Sequence, residues 1–206
     1  MQKTIFLGSN NPSKISDYET YISDYRLCSP ENLGIHIEIQ ENSYSLLENS
    51  QNKALKRAEA SGLPTLAEDT GFFVNALRGK PGVSVKTWGG ELKQPLSEED
   101  FFDFVKEKFK SLSDRSCYFL TVVSLGFPDG TVVSISHKTL GNIDLSKIEQ
   151  DFEKGYPMGA LFVAEGRTQS RVELTLEERR KAMLPFVKKI NELLKQYDNK
   201  ITEIPT

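Results

Sequence analysis

Residues 4–14 read Thr4-Ile5-Phe6-Leu7-Gly8-Ser9-Asn10-Asn11-Pro12-Ser13-Lys14, an apolar tetrapeptide that runs through a small polar turn into a helical pattern. Ile15, Tyr18, Tyr21 and Ile22 continue at the spacing of one helix face. Asn11 suits an N-cap, and Pro12 suits the first helical position, where its missing N–H leaves no hydrogen bond unmade. The stretch is therefore a strand, a turn and a helix. Such a unit brings backbone amides and a helix N-terminus to the carboxyl end of a strand, where α/β proteins bind anions. Lys14 lies one turn into that helix.

Working outward, a second helix is expected from about Leu46 to Ser61, closed by Gly62 and followed by Pro64. Glu48 and Lys53 fall on it. A short strand, Thr65–Ala67, then delivers Glu68-Asp69-Thr70-Gly71 at its end, where a turn exposes both carboxylates. Beyond the glycine- and proline-rich loop Arg78-Gly79-Lys80-Pro81-Gly82 come Lys86 and Trp88. Ser97 with Asp100 opens a helix whose Phe101, Phe104, Val105 and Phe109 face the core. The runs Cys117–Leu125 and Thr131–His137 flank Phe127-Pro128-Asp129-Gly130 as a β-hairpin. Thr175 and Glu178 form a capping-box pattern before a helix carrying Met183, Val187, Ile190, Leu194 and Tyr197, with Pro185 at its first turn or at a kink. The expectation is a single domain over residues 1–198 and a frayed tail over 199–206.

A chain of 206 residues can bury a sizeable core as one domain. Lys and Arg total 26 against 29 Asp and Glu, a net charge of −3 that argues against a dedicated nucleic-acid or membrane-surface protein. The apolar runs are too short to span a bilayer, and Met1-Gln2-Lys3 leads directly into the first strand, so no signal peptide is expected. Cys28 and Cys117 lack metal or redox spacing and read as reduced thiols of a cytoplasmic protein. With only His36 and His137, a serine–histidine triad or a histidine-built zinc site is disfavoured.

The charged residues of the first third carry the chemistry. Glu41, Glu48, Glu68 and Asp69 are interleaved with Lys14 and Lys53. Carboxylates can hold a hard divalent cation, while ammonium groups and helix N-termini neutralise phosphate oxygens. Each residue alone has a plainer reading, a solvated helix lysine or a polar turn. Neither G-x-x-x-x-G-K-[ST] nor G-x-G-x-x-G occurs, so the standard nucleotide loops are absent.

Taken together, the motifs resemble the inosine triphosphate pyrophosphatase family, which hydrolyses altered purine nucleoside triphosphates to the monophosphate and pyrophosphate. The family's S/T-x-N-x-x-K matches Ser9, Asn11 and Lys14, its metal-binding glutamate matches Glu41, and E-N-x-x-x-K matches Glu48, Asn49 and Lys53. L-P-x-x-A-D-D-S/T-G appears as Leu63-Pro64-Thr65-Leu66-Ala67-Glu68-Asp69-Thr70-Gly71, and P-G-V as Pro81-Gly82-Val83. The resemblance is densest from Thr4 to about Gly90. It implies an α/β fold, a long mixed twisted sheet flanked by helices with two lobes around a central cleft, and a homodimer. It also implies roles: Asp69 orients or deprotonates water; Glu41, Asp69 and Glu68 hold Mg2+; Lys14, Lys53, Ser9 and Asn11 bind the triphosphate; Thr70 is a further substrate-binding residue, and Lys86 keeps a positive charge where the family has arginine.

The second half departs from the family where the base is read. G-F-G-Y-D-P-I-F becomes Gly155-Tyr156-Pro157-Met158-Gly159-Ala160-Leu161-Phe162, leaving Tyr156 as an aromatic platform. E-L-T-x-E-E-K persists as Glu173-Leu174-Thr175-Leu176-Glu177-Glu178-Arg179, and Met183-Leu184-Pro185 stands where S-H-R is expected. Arg179 is then a candidate base contact, and discrimination among bases is expected to be weaker than in typical members. A pyrophosphatase for another modified or pyrimidine nucleotide, and a non-catalytic nucleotide-binding protein, stay open as alternatives.

Overall fold

The first strand forms as β1 (Thr4–Leu7), with all four residues buried, and helix α1 (Pro12–Tyr21) follows it as the Asn11-Pro12 signal predicts. The structure, a computed structural model, describes residues 2–9, 11–34, 39, 43–147 and 158–201. Strand β2 (Arg26–Cys28) and a single helical turn, α2 (Pro30–Leu33), lead to α3 (Leu46–Ser61). The bounds of α3 are those its sequence predicts. Ser45 accepts the Glu48 N–H at its start, and Gly62 closes it in the left-handed conformation at φ 69°.

Strand β3 differs from the expectation. It runs over Thr65–Val74, so Glu68 and Asp69 lie inside the strand and no turn exposes them. The ladder continues because β4 (Pro81–Gly82) pairs antiparallel with its far end, Phe72 opposite Gly82 and Phe73 opposite Pro81. After α4 (Glu98–Lys110), β5 (Ser116–Gly126) and β6 (Val132–Ile143) form the expected hairpin, β7 (Phe162–Ala164) follows, and α5 (Leu176–Gln196) ends the helices. Pro185 lies well inside α5, not in its first turn. Thr175 and Glu178 make the predicted capping box: the Glu178 carboxylate accepts from the Thr175 N–H at 2.9 Å, and the Thr175 hydroxyl oxygen accepts from the Glu178 N–H at 3.3 Å. Among the described residues the strands form one mixed sheet in the order β2-β1-β3-β5-β6-β7, with β4 on β3; β1 is parallel to both β2 and β3. The fold class is α/β.

The chain divides into two compact units. The first comprises Met1–Asp69, Thr121–His137 and Ala182–Thr206. Its main core joins Ile5, Leu7, Leu66, Val123 and Leu125 of the strands to Tyr18 and Ile22 and to Phe186, Ile190 and Leu194 of α5. Burying each of these large side chains stabilises the unit by about 1.5–3 kcal/mol. The opposite strand face receives α3. Gly126 permits that approach, since a Cβ there would lie 2.8 Å from the Ala54 carbonyl carbon. Past α5, the Asp198 carboxylate takes the Lys3 ammonium and the Tyr25 hydroxyl, and Ile201 is buried. The second unit, Thr70–Leu120 and Lys138–Lys181, packs Trp88 edge-on to Phe101, Phe104 and Phe109. Phe101 and Phe109 belong to the predicted stripe of α4, as does Val105, and all three are buried in this core.

Candidate active site

Consecutive residues of a strand point to opposite sheet faces, and this period places the two carboxylates of β3. Glu68 shares the face of Leu66, on which α1 packs. Its Oε1 lies 2.7 Å from Lys14 Nζ, and the Tyr18 hydroxyl donates to Oε2 at 2.6 Å. Asp69 faces α3. Lys53 Nζ donates to its Oδ1 at 2.9 Å and Asn49 Nδ2 to its Oδ2 at 3.0 Å. Asn49 is itself held, because the same amide donates to the Ser43 carbonyl at 3.0 Å while its oxygen accepts the Ser43 N–H.

Burial makes these pairings stringent. The Lys53 and Asp69 side chains are 9% and 10% exposed, so neither charge has much water to turn to. For Glu68, burial alone would raise the pKa. The Lys14 ammonium, acting by charge and hydrogen bond, with the Tyr18 hydroxyl and the more distant Lys53 charge, outweighs it and holds the carboxyl below its ordinary 4.5. A carboxyl with a lowered folded-state pKa stabilises the fold above its unfolded value and loses that contribution as pH falls through the folded one. Wild-type stability toward urea should therefore drop as pH falls below 4.5 more steeply than that of Glu68→Gln. Equal slopes in the two proteins would remove Glu68 from the acid response.

The turn after β1 supplies the anion-binding elements. Ser9 Oγ accepts the Asn11 N–H at 3.2 Å, and the Asn11 carbonyl accepts the Ile15 N–H at 3.1 Å, which opens α1. Ser9, Asn11, Lys14, Lys53, Glu68 and Asp69 thus all belong to the first unit. Thr70, Lys86 and Arg179 belong to the second; Lys86 is exposed in the turn Val85–Thr87, and Arg179 Nε donates to the Leu174 carbonyl at 3.2 Å. Glu41 and Tyr156 lie outside the described residues. The tail of the altered base motif is core, with Met158, Leu161 and Phe162 buried.

Asn49 stands in the E-N-x-x-x-K motif without a role assigned to it there, and Tyr18 and Arg57 lie outside the motifs. Spacing could have found them. Asn49, Lys53 and Arg57 recur every four residues along α3 on its buried face, and Tyr18 stands four residues after Lys14. Among the described residues, no three His, Cys, Asp or Glu side chains come together as a ready-made metal centre. The donor chemistry still suits a hard cation: each oxygen of Asp69 takes one hydrogen bond, and a carboxylate oxygen has two lone pairs. Glu68, on the other face, is engaged by Lys14.

Comparison with known proteins bears out the family resemblance read from the motifs. Residues 5–184 match the model of the Ham1 family. A protein of Deinococcus deserti described as a dITP/XTP pyrophosphatase is 32% identical over 181 residues, covering 86% of this chain and 82% of its own. One of Gluconobacter oxydans with the same description is 29% identical over 177 residues, covering 85% and 82%. The solved structure of the Staphylococcus aureus Ham1 protein superposes with a TM-score of 0.72 at 26% identity, covering 92% of this chain and 99% of that one.

Proposed function

The chain belongs to the Ham1 family, and from that premise we propose that it is a nucleoside triphosphate pyrophosphatase acting on altered purine nucleotides such as those of inosine and xanthosine. Water attacks the α-phosphorus, the bond from that phosphorus to the bridging oxygen breaks, and pyrophosphate leaves with the electron pair. The observation that carries the residue roles is the Asp69 carboxylate held from both sides by Lys53 and Asn49. Two fixed nitrogen donors restrict its rotation, so its remaining lone pairs have set directions toward an attacking water.

Lys14 and Lys53 neutralise charge on the triphosphate, and Ser9, Asn11 and the start of α1 offer backbone and side-chain donors to it. Glu68 acts through Lys14, fixing where that ammonium points. Asp69, with Glu41 as the family resemblance implies, would hold Mg2+, which would supply charge neutralisation at the phosphate oxygens. This division suits phosphoryl chemistry, in which positioning and electrostatics provide most of the acceleration. Thr70, Lys86, Tyr156 and Arg179 complete the substrate set in this reading.

A cytoplasmic homodimer is proposed on the family resemblance. Both cysteines are buried and unbridged, and among the described residues no helix is long and apolar enough to cross a membrane.

The test is product identification with magnesium and a panel of ordinary and altered nucleoside triphosphates. Monophosphate plus pyrophosphate is expected, with inosine and xanthosine triphosphates preferred and the preference over adenosine triphosphate modest, since stacking and shape discriminate weakly without a polar reader of the six-keto edge. Nucleoside diphosphate with orthophosphate would refute the assignment.

A further inference from the structure

Arg57 is a buried arginine outside every motif of the proposed activity, at 7% exposure. It sits on α3 one turn beyond Lys53, in the row Asn49, Lys53, Arg57 that runs along a single helix edge. The first two members of that row hold Asp69. The third reaches the other end of the site: Arg57 Nη1 donates to the carbonyl of Gly8, the residue that joins β1 to the Ser9–Asn11 turn.

The geometry at Gly8 makes that contact consequential. The Gly8 N–H donates to the Leu66 carbonyl at 2.7 Å, so the residue still belongs to the edge of the ladder. A Cβ there would lie 2.8 Å from the Ala67 Cβ, too close for any side chain, so Gly8 can contribute only its backbone. Its carbonyl oxygen lies in the plane of the peptide shared with Ser9. Because that peptide is planar and trans, fixing the oxygen fixes the Ser9 N–H in the opposite direction and sets the starting position of the Ser9 side chain. Ser9 Oγ in turn holds the Asn11 N–H at the head of α1.

We infer that Arg57 is a positioning residue of the phosphate-binding turn, coupling the orientation of the Ser9 amide and α1 to the same helix that holds Asp69. Its ligand-facing consequence is affinity for the pyrophosphate portion of the substrate. A guanidinium suits this because its planar group is pre-organised, so less side-chain freedom is lost in holding the carbonyl than with a lysine ammonium. The inference rests on the pyrophosphatase reading for the identity of the anion.

The experiment compares wild type with Arg57→Met, which keeps the aliphatic stem and removes the donors. Inorganic pyrophosphate is titrated into each by calorimetry in magnesium buffer, and KM and kcat are measured for inosine triphosphate. Arg57→Met should bind pyrophosphate about tenfold more weakly and raise KM by a similar factor, with kcat changed by no more than about threefold. Unchanged pyrophosphate affinity and KM in a variant with a lower Tm would show a merely structural arginine and overturn the inference. Should Arg57→Met fail to fold, Arg57→Lys is read in its place: weakening of about threefold or more supports the role, and wild-type affinity overturns it. Release of another product by the wild type refutes the proposed activity alone, because the pyrophosphate titration needs no turnover.

Discussion

Asp69→Asn is expected to lower turnover by on the order of a hundredfold or more, because it removes the carboxylate proposed to orient water and hold the cation. The asparagine side chain has nearly the same shape, but one acceptor oxygen becomes an NH2 donor, so its remaining oxygen can accept from Asn49 or from Lys53 and not from both. It leaves the buried Lys53 ammonium, 9% exposed, facing a neutral amide, and some loss of stability should accompany the loss of activity. The two effects separate experimentally. Turnover per folded molecule at saturating magnesium is the quantity to measure, and a value within a few fold of wild type would exclude Asp69 from the reaction.

Lys53→Met should have the largest effect on stability. It leaves the Asp69 carboxylate, 10% exposed, without its ammonium, and breaking a buried pair on one side costs about 3–5 kcal/mol. The methionine stem fills the lysine's volume, which confines the change to the charge. Combining Lys53→Met with Asp69→Asn should recover most of the lost stability in urea denaturation while turnover stays low. If the double variant is as unstable as the sum of the singles, the pair is not coupled as the 2.9 Å contact implies.

The local signals were legible where the chain satisfies itself locally. The bounds of α3 follow from Ser45 and Gly62, and the hairpin of β5 and β6 from Asp129-Gly130 between two apolar runs. At Glu68-Asp69-Thr70-Gly71 local reading failed. Two adjacent carboxylates before a glycine look like a turn, yet here they sit in mid-strand because their partners arrive from distant segments. Lys53 and Asn49 lie 16 and 20 residues from Asp69 in sequence, and Lys14 and Tyr18 come from α1. Without those partners buried carboxylates would be prohibitive, so no reading of residues 65–74 alone could have extended β3 through them. The same alternation turns Glu68 to Lys14 and Asp69 to Lys53, the two carboxylates that the family resemblance groups with Glu41 as metal ligands. The pairing of Arg57 with Gly8 was hidden for a similar reason, since an arginine on a helix gives no sequence signal of the carbonyl it will meet.

Attack of water on the α-phosphorus is the claim on which the roles of Asp69, Lys14 and Lys53 all depend, and isotope placement tests it most directly. Hydrolysis of inosine triphosphate in water enriched in heavy oxygen, followed by mass spectrometry of both products, should place the label in the nucleoside monophosphate and leave the pyrophosphate unlabelled. Label in pyrophosphate or in orthophosphate would contradict it.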